Sequence, residues 1–346
     1  MNYKKKLGQS HYLMHILKLR RKKMKAYEII IFIILNFFIF LSTVQSKYIF
    51  VSNENSDTIT VLNKDKKIIK TIKTGGRPRD MKFSLDNTLL YVVVSEENHI
   101  AVIDINSLKI INYIKSGDDP EIFDISPDGK LIAVSNEDDN EITLIDVKTQ
   151  NKLTTIENVG VEPEGVNFSK NGEFIYVTSE GTNSVVIINT KTREIVNEIL
   201  VGNRPRRGLF IKDGNEYWVS NELSGSVTII DTNNLKIIKN LYFSVKGIRD
   251  QNITPVDFAY SPKLDKIYVT LGSANHVAVV NGSNYNIEKY ILAGSRVCGA
   301  ALTNNDEELI VTNGNSDDIS IIDLIKQTAV YSLPVGKTPH TVRVMK

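Results

Sequence analysis

The sequence predicts an all-β protein, a seven-bladed β-propeller built from four-stranded antiparallel blades. Three observations support this fold class. A unit of about 42 residues occurs seven times, each unit contains only strand-type segments, and the first unit lacks a strand that the C-terminus supplies. A period near 42 residues with strands alone is typical of propeller blades. We therefore assign residues 47–346 to one propeller domain, closed by its C-terminal strand.

One valine marks each unit of the repeat. The spacings between successive valines are 41, 42, 43, 42, 50 and 42 residues, and the seven are Val51, Val92, Val134, Val177, Val219, Val269 and Val311. Twelve residues after each valine stands an Asp or an Asn, and the positions eight, ten and eleven residues after it are aliphatic in every unit. The Asp or Asn is explained by side-chain capping of the turn that follows a strand.

The third unit shows how each repeat divides into four short strands. Its candidate strands are EIFDIS (121–126), LIAVS (131–135), ITLIDV (142–147) and LTTIENV (153–159). They are rich in β-branched residues, and turn signals such as Asp-Gly separate them. No segment after residue 47 has convincing helical periodicity.

The first unit begins at its second strand, and the missing innermost strand occurs in TPHTVRVMK, residues 338–346. Pairing of this strand with the N-terminal three would close the ring. A closed ring leaves no exposed sheet edge at the seam.

Residues 1–46 are predicted to be an export signal. Nine Lys or Arg residues precede an apolar stretch at 29–41, and Val44 and Ser46 suit positions −3 and −1 of a cleavage before Lys47. Thirteen residues are short for a membrane span, which needs about twenty. We therefore expect an exported protein, attached to the membrane only if the signal is not cleaved; the resemblance described below implies the periplasm of a Gram-negative bacterium as its location. Met24 is a possible true start.

The composition is that of a globular protein, with 42% apolar and 24% charged residues. Without residues 1–46 the chain has 33 basic and 39 acidic residues, which argues against a nucleic-acid partner. Its single cysteine, Cys298, excludes an intramolecular disulfide. The GxSxG, HExxH, P-loop and GxGxxG motifs are absent from the sequence. We expect a monomer with no cofactor.

The candidate site lies where the chain crosses from the outer strand of one blade to the inner strand of the next. The residues that we align just after the proline of each crossing are Arg79, Glu121, Glu164, Arg206, Val256, Val297 and His340. Arg204 and Arg296 add positive charge to this face, and Arg249 lies in the one long insertion, residues 243–252. A loop that departs from the repeat length is a hint of function.

Two interpretations of this ring stay open. Glu121, Glu164 and His340 could bind a polar or metal-bearing ligand at the channel mouth. Alternatively, the acids could be neutralised internally, by pairs of Arg79 with Glu121 and of Arg206 with Glu164.

The loop VSNEDDN carries Glu137, Asp138 and Asp139 on the same face. A short loop between antiparallel strands offers few converging ligands. We therefore interpret these acids as a charged rim patch and predict no metal site.

The repeat YVTSEGTNSVVIINTKTREIV (176–196) and its sister units resemble the YVTN-type β-propeller repeat. The ordered motifs GVEPEGV, GNRPRRGLF, TPVDFAYSP and SRVCGAAL are similar to the subgroup of exported propellers associated with PQQ-dependent catabolism. That subgroup usually has Trp where this chain has Cys298 and His340. The resemblance implies a periplasmic propeller encoded alongside quinoprotein alcohol dehydrogenases, their cytochromes and an ABC-type exporter.

The resemblance makes a non-enzymatic accessory or binding protein of PQQ-dependent alcohol oxidation the leading hypothesis. Its partner would be a quinoprotein dehydrogenase, its cytochrome or an ABC exporter component. The alternative is a lactonase-like hydrolase that uses Glu121, Glu164 and His340 around the central channel. A cell-surface scaffold is the second alternative, and the fold alone does not decide among the three.

Overall fold

The computed structural model describes residues 48–345 and confirms the predicted fold class. These residues form seven four-stranded antiparallel sheets. The predicted export signal, residues 1–46, lies outside the described residues and stays a prediction. Within residues 48–345 no helix is long and apolar enough to cross a membrane.

Each blade runs from the central channel outward through four strands, numbered here in chain order. The innermost strands are β4 (Pro78–Phe83), β8 (Pro120–Ile125), β12 (Pro163–Phe168), β16 (Pro205–Ile211), β20 (Phe258–Ser261), β24 (Val297–Leu302) and β28 (Pro339–Val344). The second strands are β1 (Tyr48–Asn53), β5 (Leu89–Val94), β9 (Leu131–Asn136), β13 (Phe174–Ser179), β17 (Glu216–Asn221), β21 (Lys266–Thr270) and β25 (Glu308–Asn313).

The outer half of each blade has the same regularity. The third strands are β2 (Thr58–Asn63), β6 (His99–Asp104), β10 (Glu141–Asp146), β14 (Ser184–Asn189), β18 (Ser226–Asp231), β22 (His276–Asn281) and β26 (Asp318–Asp323). The outermost strands are β3 (Ile68–Lys73), β7 (Lys109–Lys115), β11 (Lys152–Ile156), β15 (Ile195–Leu200), β19 (Lys236–Tyr242), β23 (Ile287–Leu292) and β27 (Thr328–Pro334). In this part of the chain, helical structure is limited to four 3₁₀ turns at Glu54–Ser56, Ser95–Glu97, Lys212–Gly214 and Asp250–Asn252.

The ring closes as the sequence predicts. Blade 1 has the order β28-β1-β2-β3, and blades 2 to 7 follow as β4–β7, β8–β11, β12–β15, β16–β19, β20–β23 and β24–β27. Strand β28 pairs antiparallel with β1, with Val342 opposite Val51. Each innermost strand contacts the innermost strands of both neighbouring blades, so that the seven surround the channel.

The hydrophobic core lies between adjacent blades. Between blades 5 and 6, for example, Trp218 and Ile229 pack against Ile267 and Val269 of the next sheet. The aliphatic positions of the repeat are these buried residues, because the faces of the second and third strands are covered on both sides. The outermost strands bury only one face.

A repeated side-chain hydrogen bond also joins consecutive blades. A Ser or Thr of the second strand donates its hydroxyl to the backbone carbonyl of a residue at the channel mouth of the next blade, at 2.5–2.9 Å. The donors are Ser52, Ser135, Thr178, Ser220, Thr270 and Thr312, and their acceptors are Arg79, Glu164, Arg206, Val256, Cys298 and His340. These bonds satisfy buried carbonyl groups that would otherwise be costly.

The crossings between blades share a second feature. In six of them the residue directly before the innermost strand is a non-glycine residue with φ between 45° and 56°, namely Arg77, Asp119, Glu162, Arg204, Arg296 and Thr338. Its carbonyl accepts a hydrogen bond from the loop between the second and third strands of the blade that the crossing enters. These bonds hold a left-handed backbone that is uncommon for such residues.

Ring closure generates the first prediction. Deletion of residues 338–346 removes β28 and should abolish the cooperative unfolding transition of the whole domain, because the edge of β1 and the core around Val342 become exposed. Circular dichroism during thermal unfolding measures this.

Point variants provide the matched comparison for the deletion. Val342→Ala empties a fully buried position and should lower the free energy of unfolding by roughly 2 kcal/mol. Val330→Ala, at a side chain 42% exposed on β27, should change it by less than about 0.5 kcal/mol. A truncated protein that still unfolds cooperatively near the wild-type temperature would contradict closure by β28.

Candidate functional site

The channel mouth contains a cavity of about 260 Å³ on the face of the crossings and of the loops between second and third strands. Its polar and charged lining comprises Glu54, Asn55, Arg79, Arg206, Glu222, Arg296, Cys298, Thr338 and His340. Of the eight site residues that the sequence suggests, four therefore line this cavity: Arg79, Arg206, Arg296 and His340. Glu54, Glu222 and Cys298 are additional members.

The ring at the mouth differs from the predicted one at a single position. Val297 takes the place of the proline that the other crossings have, opposite Asn313, as Pro339 lies opposite Asn53. The residue that follows it, Cys298, is therefore the ring member, and our placement of Val297 in the ring is wrong. The missing proline in SRVCG shifted the alignment by one residue.

Glu121 and Glu164 lie behind the arginines and do not line the cavity. Both side chains are at most 1% exposed. Arg79 Nη2 lies 2.5 Å from Glu121 Oε2, and Arg206 Nη2 lies 3.0 Å from Glu164 Oε1. The structure thus contains the internal ion pairs that were one of the two interpretations of the ring.

Two further arginines extend this ion-pair network to the rim. Arg77 contacts Glu121 at 3.0 Å, and Arg204 Nε lies 2.7 Å from Glu180. Burial would raise the pKa of Glu164, but Arg206 and Arg79 outweigh burial and hold that pKa below its usual range. A substrate at the mouth would therefore meet the arginines, with the acids fixing their positions.

His340 and Cys298 form the uncharged side of the cavity. Burial, reinforced by Arg79 and Arg207, lowers the pKa of His340 well below its usual range, so that the imidazole is neutral near pH 7. Burial raises the pKa of the Cys298 thiol, although Arg296 opposes this shift. The thiol is therefore protonated near pH 7 and is a poor nucleophile.

The acidic loop of blade 3 separates into two parts. Asp138 and Asp139 are exposed, as a rim patch requires, whereas Glu137 turns into an open groove with Glu162, Glu180 and Arg204. Burial, together with Glu164 and Glu180, raises the pKa of Glu137 to about 6.

Glu137 belongs to two carboxylate groups whose oxygens lie within 4.8 Å of one another and could hold a cation. One contains Asp119 and Glu121, and the other contains Glu162 and Glu180. Arg77 already contacts both Asp119 and Glu121 of the first group, and Arg204 contacts Glu180 of the second. The groove therefore has an excess of carboxylates that the neighbouring arginines partly neutralise.

The long insertion between blades 5 and 6 has a structural role. Phe243, Val245 and Ile253 are buried in the core between these blades, and the backbone N–H of Ser244 donates to the Tyr290 hydroxyl at 3.0 Å. Arg249 is exposed on this segment and is not among the residues that line the mouth cavity. The insertion packs between two blades, and none of residues 243–252 lines the cavity.

Glu137 generates a prediction about stability and pH. Its pKa of about 6 in the folded state exceeds the ordinary value of 4.5. Between these two pH values the folded protein therefore holds a proton that the unfolded chain has released. Stability associated with this group is present below pH 4.5 and is lost as the pH rises through about 6. Glu137→Gln should therefore increase the free energy of unfolding at pH 7, by less than about 1 kcal/mol because solvent screens the half-buried group.

Urea unfolding of both proteins at pH 4.5 and pH 7 measures this difference. Asp138→Asn, at an exposed carboxylate of the same loop, is the matched control and should change the free energy of unfolding at pH 7 by less than about 0.5 kcal/mol. A Gln variant that is equally stable or less stable than the wild type at pH 7 would refute the conclusion that burial, Glu164 and Glu180 disfavour the ionised form of Glu137.

Two protein-family models match parts of the chain. Residues 38–172 match the YNCE-like beta-propeller model, and residues 134–256 match the Cytochrome D1 heme domain model. Neither names the subgroup associated with PQQ-dependent catabolism, so that finer assignment stays a prediction. No curated protein matches the chain.

Solved structures share the fold over most of the chain at low sequence identity. A candidate 6-phosphogluconolactonase of Bacteroides fragilis is 17% identical, with a TM-score of 0.74 over 88% of this chain and 99% of that one. Hydrazine synthase of Kuenenia stuttgartiensis is 20% identical, with a TM-score of 0.73 over 80% and 92%. The dihydro-heme d1 dehydrogenase NirN is 14% identical, with a TM-score of 0.66 over 86% and 75%.

These comparisons correct one expectation from the sequence. We predicted that the protein is not an enzyme, and that prediction is wrong, because the proteins that share this propeller include a dehydrogenase, a synthase and a candidate lactonase. At these identities the likeness concerns the fold and does not transfer a reaction. The matches support a β-propeller family for this chain and nothing narrower.

Proposed function

We propose that the mouth cavity binds a small anionic lactone and hydrolyses it, as the lactonase-like alternative of the sequence analysis suggests. The observation that carries this proposal is the lining of the cavity, where Arg79, Arg206 and Arg296 lie beside a neutral His340. A volume of about 260 Å³ suits a sugar-sized molecule, since pockets for drug-sized ligands measure roughly 300–1,000 Å³.

The arginines supply the binding part of this chemistry. Guanidinium groups bind carboxylate or phosphate through charge-assisted hydrogen bonds, and they stabilise an oxyanion that develops at a carbonyl group. Arg79 and Arg206 are held rigidly by their buried acids, so their positions cost little reorganisation when a ligand enters. Arg296 is exposed at the rim and can reach the anionic substituent first.

The carboxylates that reach the cavity supply a general base. Glu54 contacts Arg79 at 3.4 Å, and Glu222 contacts Arg206 at 3.7 Å, so both face the arginine-bound ligand. The base takes a proton from water as the water oxygen bonds to the lactone carbonyl carbon. The ring C–O bond then breaks, and the proton passes to the leaving ring oxygen to give the open hydroxy acid. Glu121 and Glu164, which the sequence favoured for this role, lie behind the arginines.

The shared fold with a candidate 6-phosphogluconolactonase supports the choice of substrate class. A lactone of that kind carries a phosphate group, which an arginine-lined cavity would bind. We therefore take 6-phosphogluconolactone as the first substrate to test.

Arg296→Gln is the sharpest test of the anion-binding role. Among the described residues Arg296 has no ion pair, so its replacement leaves no buried acid without a partner. Loss of one charge-assisted contact, about 1.5 kcal/mol, should raise KM or the Kd for the product 6-phosphogluconate about tenfold. Calorimetric titration of 6-phosphogluconate measures the binding.

Arg249→Gln is the matched control, because it removes an exposed arginine that does not line the cavity. It should bind the product as tightly as the wild type does. Equal losses in the two variants would indicate a general charge effect, and undetectable binding by the wild type would reject the proposed substrate class.

The carboxylates generate a separate kinetic prediction. At least one of Glu54→Gln and Glu222→Gln should lower kcat about 100-fold and leave product affinity within about threefold, because the base acts mainly in the transition state. Proton release above the spontaneous rate of lactone hydrolysis measures kcat. If both variants keep the wild-type kcat, neither carboxylate is the base.

The predicted periplasmic location and the partner from PQQ-dependent alcohol oxidation remain separate proposals. A pull-down from periplasm of cells grown on an alcohol tests them. Recovery of a quinoprotein dehydrogenase, its cytochrome or the exporter component would support the association.

A further inference from the structure

Arg207 extends across the channel and connects three innermost strands. It belongs to β16, its Nη1 lies 3.3 Å from Asp257 Oδ2 near the start of β20, and its Nη2 donates to Thr341 Oγ1 of β28 at 3.0 Å. The same Nη2 lies 3.5 Å from His340 Nδ1. Arg207 is 6% exposed, so this network lies inside the channel and not on the surface.

The acid end of the network is fixed by the backbone. Asp257 Oδ1 accepts from the N–H of Phe258 at 2.8 Å, and Oδ2 accepts from the N–H of Ala300 at 3.2 Å. Two amide donors and a guanidinium partner fix the position of this carboxylate. The Arg207 guanidinium is therefore held with its Nη2 directed at His340 and Thr341.

The donor at Nη2 determines which nitrogen of His340 carries the proton. A guanidinium has only donors, so the Nδ1 that faces it must be the acceptor. The Thr341 hydroxyl lies 3.1 Å from the same Nδ1, and among the described residues no other acceptor is recorded for its hydrogen. Both neighbours thus favour an unprotonated Nδ1 and a proton on Nε2.

The other two histidines of the propeller have the opposite surroundings. His276 Nδ1 lies 2.6 Å from the carbonyl oxygen of Ala274, and His99 Nδ1 lies 3.1 Å from the carbonyl oxygen of Glu97. A carbonyl oxygen only accepts, so these two nitrogens carry the proton. His340 therefore differs from the other two in the ring nitrogen that carries the proton. This difference depends on Arg207 and Thr341.

We propose that Arg207 is a positioning residue that keeps His340 neutral with its proton on Nε2, so that His340 donates a hydrogen bond to an oxygen of the ligand in the mouth cavity. The donor role of His340 toward a ligand rests on the proposed function, whereas the protonation state does not. His340 lines the cavity, and Nε2 is the nitrogen that the network leaves available. The other charged groups around the cavity are Glu54, Arg79, Arg206, Glu222 and Arg296.

Nuclear magnetic resonance of the full chain labelled with ¹⁵N and ¹³C in its histidine rings tests the proposal without ligand. The chain has five histidines, and the signals of His99, His276 and His340 are assigned by replacing each with Gln. In the wild type, His340 should stay neutral with Nε2–H from pH 7 down to pH 5, while His276 should have its proton on Nδ1. A wild-type His340 with its proton on Nδ1, or one that is doubly protonated at pH 6, would overturn the proposal.

Arg207→Met removes the donor and one of the charges that oppose protonation, and should shift the titration of His340 to higher pH while burial and Arg79 still oppose protonation. Arg207→Lys keeps a cationic donor and should restore the neutral form. Because Arg207→Met leaves Asp257 without its guanidinium, the double variant Arg207→Met/Asp257→Asn serves if the single variant does not fold. A His340 titration that is unchanged in the folded variants would overturn the positioning role.

Addition of 6-phosphogluconate separates this proposal from the proposed function. A ligand-dependent shift of the His340 Nε2–H signal, with His276 unchanged, is the expected result. An unchanged His340 signal in a protein that binds the product would overturn the donor role. Failure to hydrolyse any lactone, with the ligand-free results intact, would count against the proposed function alone.

Discussion

The crossing between blades is the constraint on which the channel mouth depends. Six crossings pass through a left-handed, non-glycine residue directly before the innermost strand, a conformation that costs roughly 1–2 kcal/mol for an L-residue. Hydrogen bonds to its carbonyl from the adjacent loop offset this cost. The turn places the side chain two residues later at the channel mouth, and the Ser or Thr of the preceding blade holds the carbonyl of that residue. The mouth is therefore specified by backbone geometry, and the identity of each ring residue is free to vary.

That freedom explains why the cavity lies on one side. The ring residues of blades 2 to 5 are Arg79, Glu121, Glu164 and Arg206, which neutralise one another and fill their half of the mouth. The ring residues of blades 6, 7 and 1 are Val256, Cys298 and His340, which are uncharged near pH 7 and leave space. Buried ion pairs add little stability but fix geometry. The charged half thus acts as a rigid wall that presents two arginines to the open half.

The sequence was sufficient for the fold because the repeat encodes it seven times. An ambiguous strand in one unit can be identified from the same position in the other six. The first unit lacks its innermost strand, and this absence predicts that the C-terminal strand completes the first blade. The site had no such redundancy. Cys298 was missed because Val297 replaces the proline that marks the ring position, and Arg249 was included because its insertion departs from the repeat length.

The burial of Glu121 and Glu164 also could not be predicted from the sequence. Their ring positions were evident, but exposure at those positions depends on side-chain direction. Arg79 and Arg206 are long enough to lie over the acids, and only the three-dimensional packing shows that they do so. Side-chain direction also explains why, within one loop, Glu137 turns into the groove while Asp138 is exposed.

Arg207 has a consequence for ligand access. It contacts His340, which lines the mouth cavity. It also lines a second cavity of about 200 Å³, together with Asp80 and Arg343. Its side chain therefore lies between the two cavities, and its contacts with Asp257 and Thr341 hold it there. The mouth cavity lies on the face of the crossings, which is the face that its ligand would meet. Because the crossings keep one backbone geometry while their side chains differ from blade to blade, selectivity can change on that face without disturbing the seven-bladed frame.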